Sequence, residues 1–190
     1  MQTPTHVLIA AAAFARPGAA TINAAALAGG FVPDAFLFAV WGWSKLAGVS
    51  ETDLWSRVYW SDGVQFGQAV SNSFPLFAGL LVAALVLQKR AAAVFAGAGL
   101  LHLVCDFLLH AKDAHQHFWP LSTWRFESPV SYWDPAHYGA YVSLIEAAVG
   151  ITLIVVLFRR FKRASIRATL VIAGLSYLAV PAYFVSTLNG

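Results

Sequence analysis

Of the 190 residues in this chain, 59% are hydrophobic and only 11% are charged, and the formal net charge is +3. Soluble domains carry a charge on roughly a quarter of their residues, so this composition excludes an ordinary soluble protein. The basic residues are concentrated beside apolar segments, which is typical of membrane topology, and we expect no nucleic-acid partner.

The N-terminal part of the chain contains two unusual apolar segments. Residues 5–15 are too few to cross a bilayer, so we expect them to lie in the interface or to re-enter the membrane against protein. The next segment, about 20–46, is long enough to cross but contains helix-breaking and charged residues. These are Gly29, Gly30, Pro33 and Asp34. This pattern predicts either a kinked span or two half-helices.

Four further segments are apolar over the roughly 20 residues needed to cross a bilayer, and each predicts a helix. They cover about residues 69–88, 91–110, 138–158 and 167–188. The predicted fold is therefore an all-α membrane protein. It is a polytopic bundle of four to five transmembrane helices, with the short N-terminal segment, in a single domain over residues 1–190.

Two capping signals lie between these segments. Ser50 with Asp53 resembles a capping box and predicts a short helix in the first long loop. Asp134 followed by Pro135 predicts the N-cap and first residue of the helix that covers 138–158.

Basic residues predict the orientation, since short cytoplasmic loops are enriched in Lys and Arg. Lys89-Arg90 and the basic run from Arg159 to Arg167 mark two cytoplasmic loops. Loops 47–68 and 111–137 then face outward, where their tryptophans suit an aromatic belt. We expect a multi-pass protein of the bacterial inner (cytoplasmic) membrane, in contact with membrane lipid.

The polar residues that can carry chemistry lie on the outer side in this topology. His102, Asp106 and His110 are spaced four residues apart and share one helix face. Such a face can present imidazole and carboxylate groups to a divalent metal. Asp34 and Glu146 also lie inside apolar segments, where an ionisable group is costly unless it has a partner.

A purely structural explanation is open for the same residues. Asp34 can cap a broken helix, and Glu146 can satisfy a neighbouring helix. His102 and Asp106 can simply hydrogen-bond to each other.

Several short motifs of this sequence resemble the YdjM-like family, which is described as LexA-binding, inner-membrane-associated and made up of metal-dependent hydrolases. The motifs are His6, Gly29-Gly-Phe-Val-Pro-Asp34, His102-x3-Asp106 and Phe118-Trp119-Pro120-Leu121-Ser122. The resemblance implies a hydrolase whose metal ligands are His6, Asp34, His102 and Asp106.

One departure from the family pattern affects the expected site. Where the family usually has Thr-His-Ser, this sequence has Ser71-Asn72-Ser73, so an imidazole is missing. Asparagine is a poor zinc ligand. The histidines of the second outer loop, His115 and His117, are candidate replacements.

These residues lead to one expected function with an alternative from another class. We expect a membrane-embedded hydrolase that binds one or two divalent ions, zinc first, and cleaves an ester or phosphoester of a lipid or envelope metabolite at the outer (periplasmic) face. Glu146, His110 and Asp113 are the candidates for general base. The alternative is a non-catalytic membrane subunit with a protein partner, or a metal-handling protein. A transporter is disfavoured, since no internal repeat is evident.

Overall fold

In a computed structural model of the protein, the described part of the chain covers residues 1–188, with the side chains of residues 1–175 and 177. All regular elements in that part are helices. They are α1 (Thr3–Phe14), α2 (Ala20–Leu46), α3 (Glu51–Asp53) with its π-helical continuation (Leu54–Val58), α4 (Asp62–Ser71), α5 (Phe74–Val86), α6 (Arg90–Leu109), a 3₁₀ helix (Pro135–His137), α7 (Gly139–Arg160) and α8 (Ala164–Leu188).

The described residues contain four helical stretches that are long and apolar enough to cross a membrane. Three of them are the single helices α2, α6 and α7. The fourth is the stretch Asp62–Val86, which α4 and α5 form together. Helix α1 and the Ala164–Leu175 part of α8 are apolar but shorter. The all-α helical bundle expected from the sequence is confirmed, and its four candidate spans are those of a membrane protein.

Helix α2 is continuous through the residues that predicted an interruption. Its 27 residues include Pro33, so the alternative of two half-helices is wrong. Asp34 therefore lies inside a helix, and the proposed role as a cap of a broken helix is wrong as well. In an apolar bundle, neighbouring helices can compensate for the hydrogen bond that a proline removes.

A glycine pair in α2 brings three helices into close contact. A Cβ atom on Gly29 would lie 2.2 Å from the carbonyl oxygen of Phe95 in α6. A Cβ atom on Gly30 would lie 2.9 Å from Cβ of Ala10 in α1. Small residues allow helix backbones to approach this closely in membrane proteins. As a result, the short α1 packs within the bundle, against α2, α6 and α7.

The stretch predicted as one helix over 69–88 begins earlier and is divided by Asn72 and Ser73. Ser73 caps α5 by accepting a hydrogen bond from the backbone N–H of Leu76. The backbone N–H of Phe74 donates to the carbonyl oxygen of His117 at 2.8 Å. The loop 111–137 thus fills the break and satisfies a donor that the interrupted helix leaves free.

The two capping signals have different outcomes. Ser50 accepts a hydrogen bond from the backbone N–H of Asp53 and begins α3, as predicted. Asp134 caps the 3₁₀ helix, whereas α7 begins only after Tyr138, which has a left-handed backbone with φ of 62°. The prediction that Asp134 caps the long helix is therefore wrong, because the 3₁₀ helix lies between Asp134 and α7.

Candidate metal centre

The four ligands implied by the family resemblance lie together, although they come from three helices. His6 of α1 places Nε2 2.9 Å from Oδ1 of Asp106, and His102 places Nε2 2.9 Å from Oδ2 of the same carboxylate. Asp34 of α2 contributes Oδ1 at 3.5 Å from Nε2 of His102. His6, His102 and Asp106 are each at most 2% exposed, so this is a buried polar cluster in an apolar bundle.

The hydrogen bonds of His102 define which ring nitrogen faces the carboxylates. Its Nδ1 lies 2.9 Å from the carbonyl oxygen of Gly30, which can only accept, so Nδ1 carries a proton and donates it. Nε2 then faces Asp106 and Asp34, both of which are acceptors. This nitrogen therefore needs either a second proton or a cation. A backbone carbonyl that fixes the other ring nitrogen is the usual support of a metal-binding histidine.

The remaining contacts of Asp34 and Asp106 complete this cluster. Asp34 Oδ2 accepts a hydrogen bond of 2.5 Å from the hydroxyl of Thr3. The amino group of Met1 lies 2.9 Å from Asp106 Oδ1. Asp106 is thus paired with cationic and imidazole groups, as a buried carboxylate requires.

His110 extends the cluster toward the outer loop. Its Nε2 lies 3.4 Å from Asp106 Oδ1, and its Nδ1 lies 2.9 Å from Asp113 Oδ2. Burial disfavours the charged ring, but the two carboxylates outweigh that cost and raise the pKa of His110 to about 9. The same contact lowers the pKa of Asp113 to about 2, against the opposing effect of burial. His110 and Asp113, both predicted as bases, therefore form a hydrogen-bonded pair.

Two loop histidines lie beside this pair. The ring centroids of His110 and His115 are 4.8 Å apart, and those of His115 and His117 are 5.5 Å apart. Burial lowers the pKa of His115 to about 3, assisted by the charge of His110. Burial also lowers the pKa of His117 to about 4. Both rings are therefore neutral at physiological pH, the form that binds metals.

Two groups of side chains offer ligand atoms that lie within 4.8 Å of one another. The first is His6, His102 and Asp106, and the second is Asp106, His110 and His115. All members of both groups are buried. Imidazole nitrogen with carboxylate oxygen is a donor set that suits zinc and other transition metals, so these residues fit a divalent ion.

Glu146, the third candidate base, lies apart from these groups and contacts α1. Its Oε1 accepts hydrogen bonds from the backbone N–H of Gln2 at 2.8 Å and from the hydroxyl of Thr5 at 2.7 Å. Tyr177 is 2.5 Å from the same hydroxyl. These hydrogen bonds position α1 and, through it, His6. Glu146 therefore accepts hydrogen bonds from a neighbouring helix, as the purely structural explanation predicts.

A cavity of about 770 Å³ lies against the second group. Asp34, His110, Asp113 and His115 contribute to its wall. Aromatic side chains form much of the remainder, namely Trp41, Trp55, Tyr59, Trp60, Tyr132 and Trp133. The volume is within the range of small-molecule sites. Tyr132 was not foreseen as part of the site, because a loop residue gives no periodic signal in the sequence.

Asn72, which stands where the YdjM-like pattern has a histidine, is buried near His117. The backbone carbonyl of Asn72 accepts a hydrogen bond of 2.9 Å from His117 Nδ1. Among the residues with described side chains, neither Asn72 Oδ1 nor His117 Nε2 has a hydrogen-bond partner. The loop histidine thus lies beside Asn72 and presents a free nitrogen.

Comparisons of the chain with protein-family models, curated proteins and solved structures found no match. The class of protein is therefore inferred from the fold and the site alone. They define a helical membrane protein with buried histidine and aspartate groups that could hold a metal ion.

Proposed function

We propose that this protein is a metal-dependent hydrolase embedded in the bacterial inner membrane, which cleaves an ester or phosphoester at the outer face. The observation that carries the proposal is the environment of His102. Its Nδ1 donates a hydrogen bond to the carbonyl oxygen of Gly30, while its Nε2 faces the carboxylates of Asp106 and Asp34. A divalent cation, zinc as the first choice, satisfies all three groups at once.

The residues of the first group, together with Asp34, would hold the ion. His6 and His102 supply imidazole nitrogen, and Asp34 and Asp106 supply carboxylate oxygen. When bound, the ion supplies a Lewis acid that activates water and polarises the bond to be cleaved. Asp34 also reaches the cavity wall, so the site adjoins the space in which a substrate can bind.

Of the three candidate bases, we choose Asp113 for its position, although its lowered pKa makes it a weak base. It lines the cavity, and its Oδ2 is held by His110 Nδ1 and by the indole N–H of Trp133, both at 2.9 Å. Its Oδ1 has no hydrogen-bond partner among the described residues and is free to accept a proton. Water would then add to the carbonyl or phosphoryl centre and lose a proton to Asp113. The bond to the leaving alcohol breaks, and the alcohol takes up a proton.

A lipid substrate is favoured by a second, apolar cavity of about 550 Å³. It shares Thr3 and Phe38 with the larger cavity, so the two adjoin. Its remaining wall includes Leu8 of α1, Leu157 of α7 and Leu170 of α8. We assign the acyl chain of the substrate to this groove and the polar headgroup to the larger cavity, because the two cavities together match the two chemical parts of a lipid.

The resemblance to the YdjM-like family supports the proposal, since the four residues that it implies as ligands are adjacent in the structure. The positive-inside pattern supports the inner membrane and an outward-facing site. The sequence has Asn72 where the family pattern has a histidine. We assign the role of this missing imidazole to His117, whose Nε2 is unpaired.

The test combines metal content with turnover. Detergent-purified protein, grown with zinc, is analysed beside His102→Ala and beside His137→Ala, a control histidine paired with Asp134 outside the cluster. Near-stoichiometric metal is expected in the wild type and the control, and loss of metal in His102→Ala. The rate of hydrolysis of p-nitrophenyl esters and phosphoesters, including substrates that carry an acyl chain, should rise and fall with the metal content of each protein. Thermal unfolding followed by tryptophan fluorescence shows whether each variant is folded.

The second candidate is a non-catalytic membrane subunit or metal-handling protein, which the burial of the cluster favours. Asp106 is only 1% exposed and is enclosed by contacts on both oxygens. A closed site of this kind can serve a structural role. Bound metal without turnover of any probe would establish this candidate over the hydrolase, and absence of metal from the wild type would overturn both metal-dependent functions.

A further inference from the structure

The second group of ligand atoms, around His110 and His115, is not explained by a single ion at the first group. Asp106, His110 and His115 each offer an atom within 4.8 Å of the others, and all three residues are buried. Asp106 belongs to both groups. Its Oδ1 faces His6 and His110, and its Oδ2 faces His102, so one carboxylate lies between two sets of imidazoles.

His110 has the orientation of a metal ligand. Its Nδ1 donates to Asp113 Oδ2 at 2.9 Å, which leaves Nε2 directed at Asp106. A carboxylate that accepts from the distal ring nitrogen fixes the tautomer and the orientation of a metal-binding histidine. Trp133 donates its indole N–H to the same oxygen of Asp113 at 2.9 Å, so the supporting carboxylate is itself held.

His115 lacks the partners that a merely structural buried histidine has. It is 7% exposed and lines the cavity, and no hydrogen bond to its ring nitrogens is present among the described side chains. These nitrogens are not among the fully buried unpaired atoms, so they can be reached from the cavity by a ligand. His117, whose ring centroid is 5.5 Å from that of His115, also has an unpaired buried nitrogen, Nε2. The loop thus presents two imidazoles that each have an unpaired ring nitrogen.

We propose that Asp106, His110 and His115 hold a second divalent cation, so that Asp106 is the shared carboxylate of a two-ion centre and phosphoesters are the substrate class. His117 is the nearest additional donor. The ion count stands on these contacts alone, whereas the substrate class also rests on the proposed hydrolase function. Two-metal sites with a shared ligand are typical of enzymes that cleave phosphoesters.

The charges around the cavity favour an anionic substrate more strongly if two ions are bound. Three carboxylates, Asp34, Asp106 and Asp113, lie at the centre, and the amino group of Met1 offsets one of them. One divalent ion would only neutralise this set of charges and would give little attraction for a phosphate group. Two divalent ions make the centre positive, and Lys112 adds a further cation on the cavity wall.

The ion count is tested by reconstituting metal-free protein with Mn²⁺ and measuring bound metal by elemental analysis. We expect two ions per chain in the wild type and in the His137→Ala control, and one in His115→Ala and in His110→Ala. The electron paramagnetic resonance spectrum of the wild type should show two coupled Mn²⁺ ions. This measurement needs no variant, so it tests the proposal even if a substitution prevents folding. A single uncoupled ion in the wild type, or two ions in His115→Ala, would overturn the second site.

The substrate class is tested with inorganic phosphate as the probe. In the two-ion form, phosphate should raise the unfolding temperature of the wild type, and it should have no effect on folded His115→Ala. An equal effect on both proteins would overturn the role of the second ion in phosphate binding. Two coupled ions without hydrolysis of any probe would support the second site and exclude the hydrolase. Hydrolysis of a probe by protein that binds a single ion would support the hydrolase and exclude the second site.

Discussion

The imidazole ring of His6 lies flat against that of His102, with ring centroids 3.6 Å apart and planes inclined by 10°. Both Nε2 atoms are 2.9 Å from the carboxylate of Asp106. Two protonated rings at this distance would repel each other, whereas two neutral rings can share one cation. An ion held between the two rings would therefore couple ion binding to the packing of α1 against α6.

This coupling predicts that removal of the ion destabilises the protein. A ligand that binds only the folded state and is present at about 100 times its Kd contributes about 2.7 kcal/mol. We expect a chelator to lower the unfolding temperature of the wild type and zinc to restore it. His102→Ala should show a smaller effect of both, since it lacks a ligand of the first group. An equal response of both proteins would place the metal outside this cluster.

The glycine pair in α2 predicts a packing defect on substitution. Gly29→Ala would place a methyl group 2.2 Å from the Phe95 carbonyl oxygen, which belongs to the backbone and cannot turn away. Overpacking of this kind costs about 1–3 kcal/mol, so we expect a lower unfolding temperature. Gly42 lies in the same helix with nothing within 4 Å of its added Cβ, and Gly42→Ala is the matched control. That variant should be unchanged or stabilised by up to about 1 kcal/mol, because alanine favours helix over glycine.

Gly30→Ala tests whether the same contact supports the metal centre. Its added Cβ would lie 2.9 Å from Cβ of Ala10 and 3.1 Å from the carbonyl oxygen of His6, and Gly30 itself provides the acceptor for His102. We expect reduced metal retention in addition to lower stability. Unchanged metal content in a folded Gly30→Ala protein would show that the cluster tolerates displacement of α1.

Arg160 caps the end of α1 from a neighbouring helix. Its Nη1 donates to the carbonyl oxygens of Ala12 at 2.7 Å and Ala15 at 2.9 Å, near the C-terminus of α1. A cation at the C-terminus of a helix stabilises it, and free carbonyls in an apolar setting are costly. We expect Arg160→Ala to lower the unfolding temperature, by a loss of about 1–3 kcal/mol, as for other buried acceptors that lose a charged donor.

The neighbouring Arg159 is the control for this substitution. It is exposed, and no hydrogen bond or ion pair of its side chain is found among the described residues. Arg159→Ala removes the same charge from the same end of α7 without removing the cap. Equal destabilisation by both substitutions would show that the charge at this end of α7 matters and that the contact with α1 does not.

The sequence predicted the parts of this protein that depend on local pattern. The spacing of His102 and Asp106 predicted a shared helix face, and the two side chains are in contact. Long apolar segments predicted helices whose positions agree with α2, α6 and α7 to within a few residues. In these cases the physical cause, helical periodicity or the length needed to cross a bilayer, acts within a single segment.

Features that depend on distant contacts could not be predicted from one sequence. The division between α4 and α5 is stabilised by backbone groups of His117 and Trp119, more than 40 residues away. The docking of α1 depends on the fit between Ala10 and Gly30 and on the bond from Thr5 to Glu146. The close approach of His115 to Asp106 arises from the path of an irregular loop, for which no periodic signal exists.

The topology inferred from basic residues predicts the location of two short loops. Lys89 lies between the ends of α5 and α6, and Arg163 lies between α7 and α8. Reporter fusions after Lys89 and after Arg163 should both report the cytoplasm, and a fusion in the loop 111–137 should report the opposite side. A cytoplasmic report from the loop 111–137 would place the cavity on the inner face and would contradict the outward-facing site.

The contacts that hold the C-terminal end of the loop 111–137 should weaken in acid. Asp134 accepts a hydrogen bond from the backbone N–H of Ala136, and its other oxygen lies 2.9 Å from His137 Nδ1 and 3.3 Å from Lys112 Nζ. These contacts, the backbone bond first, lower the pKa of Asp134 below its usual 3.8. A carboxyl group with a lowered folded-state pKa contributes stability that is complete above the unfolded-state pKa and is lost as the pH falls through the folded-state pKa.

The difference in unfolding temperature between the wild type and Asp134→Asn isolates this contribution from other acidic groups. We expect the wild type to be more stable at pH 6 and the difference to shrink below about pH 4, where the unfolded carboxyl group begins to take up protons. Asparagine can still cap the 3₁₀ helix, so the variant removes mainly the charge. Trp133, next to Asp134 in the loop, provides a fluorescence signal for local loosening. A difference that is constant from pH 6 to pH 2 would show that the contacts with Lys112 and His137 do not depend on the charge of Asp134.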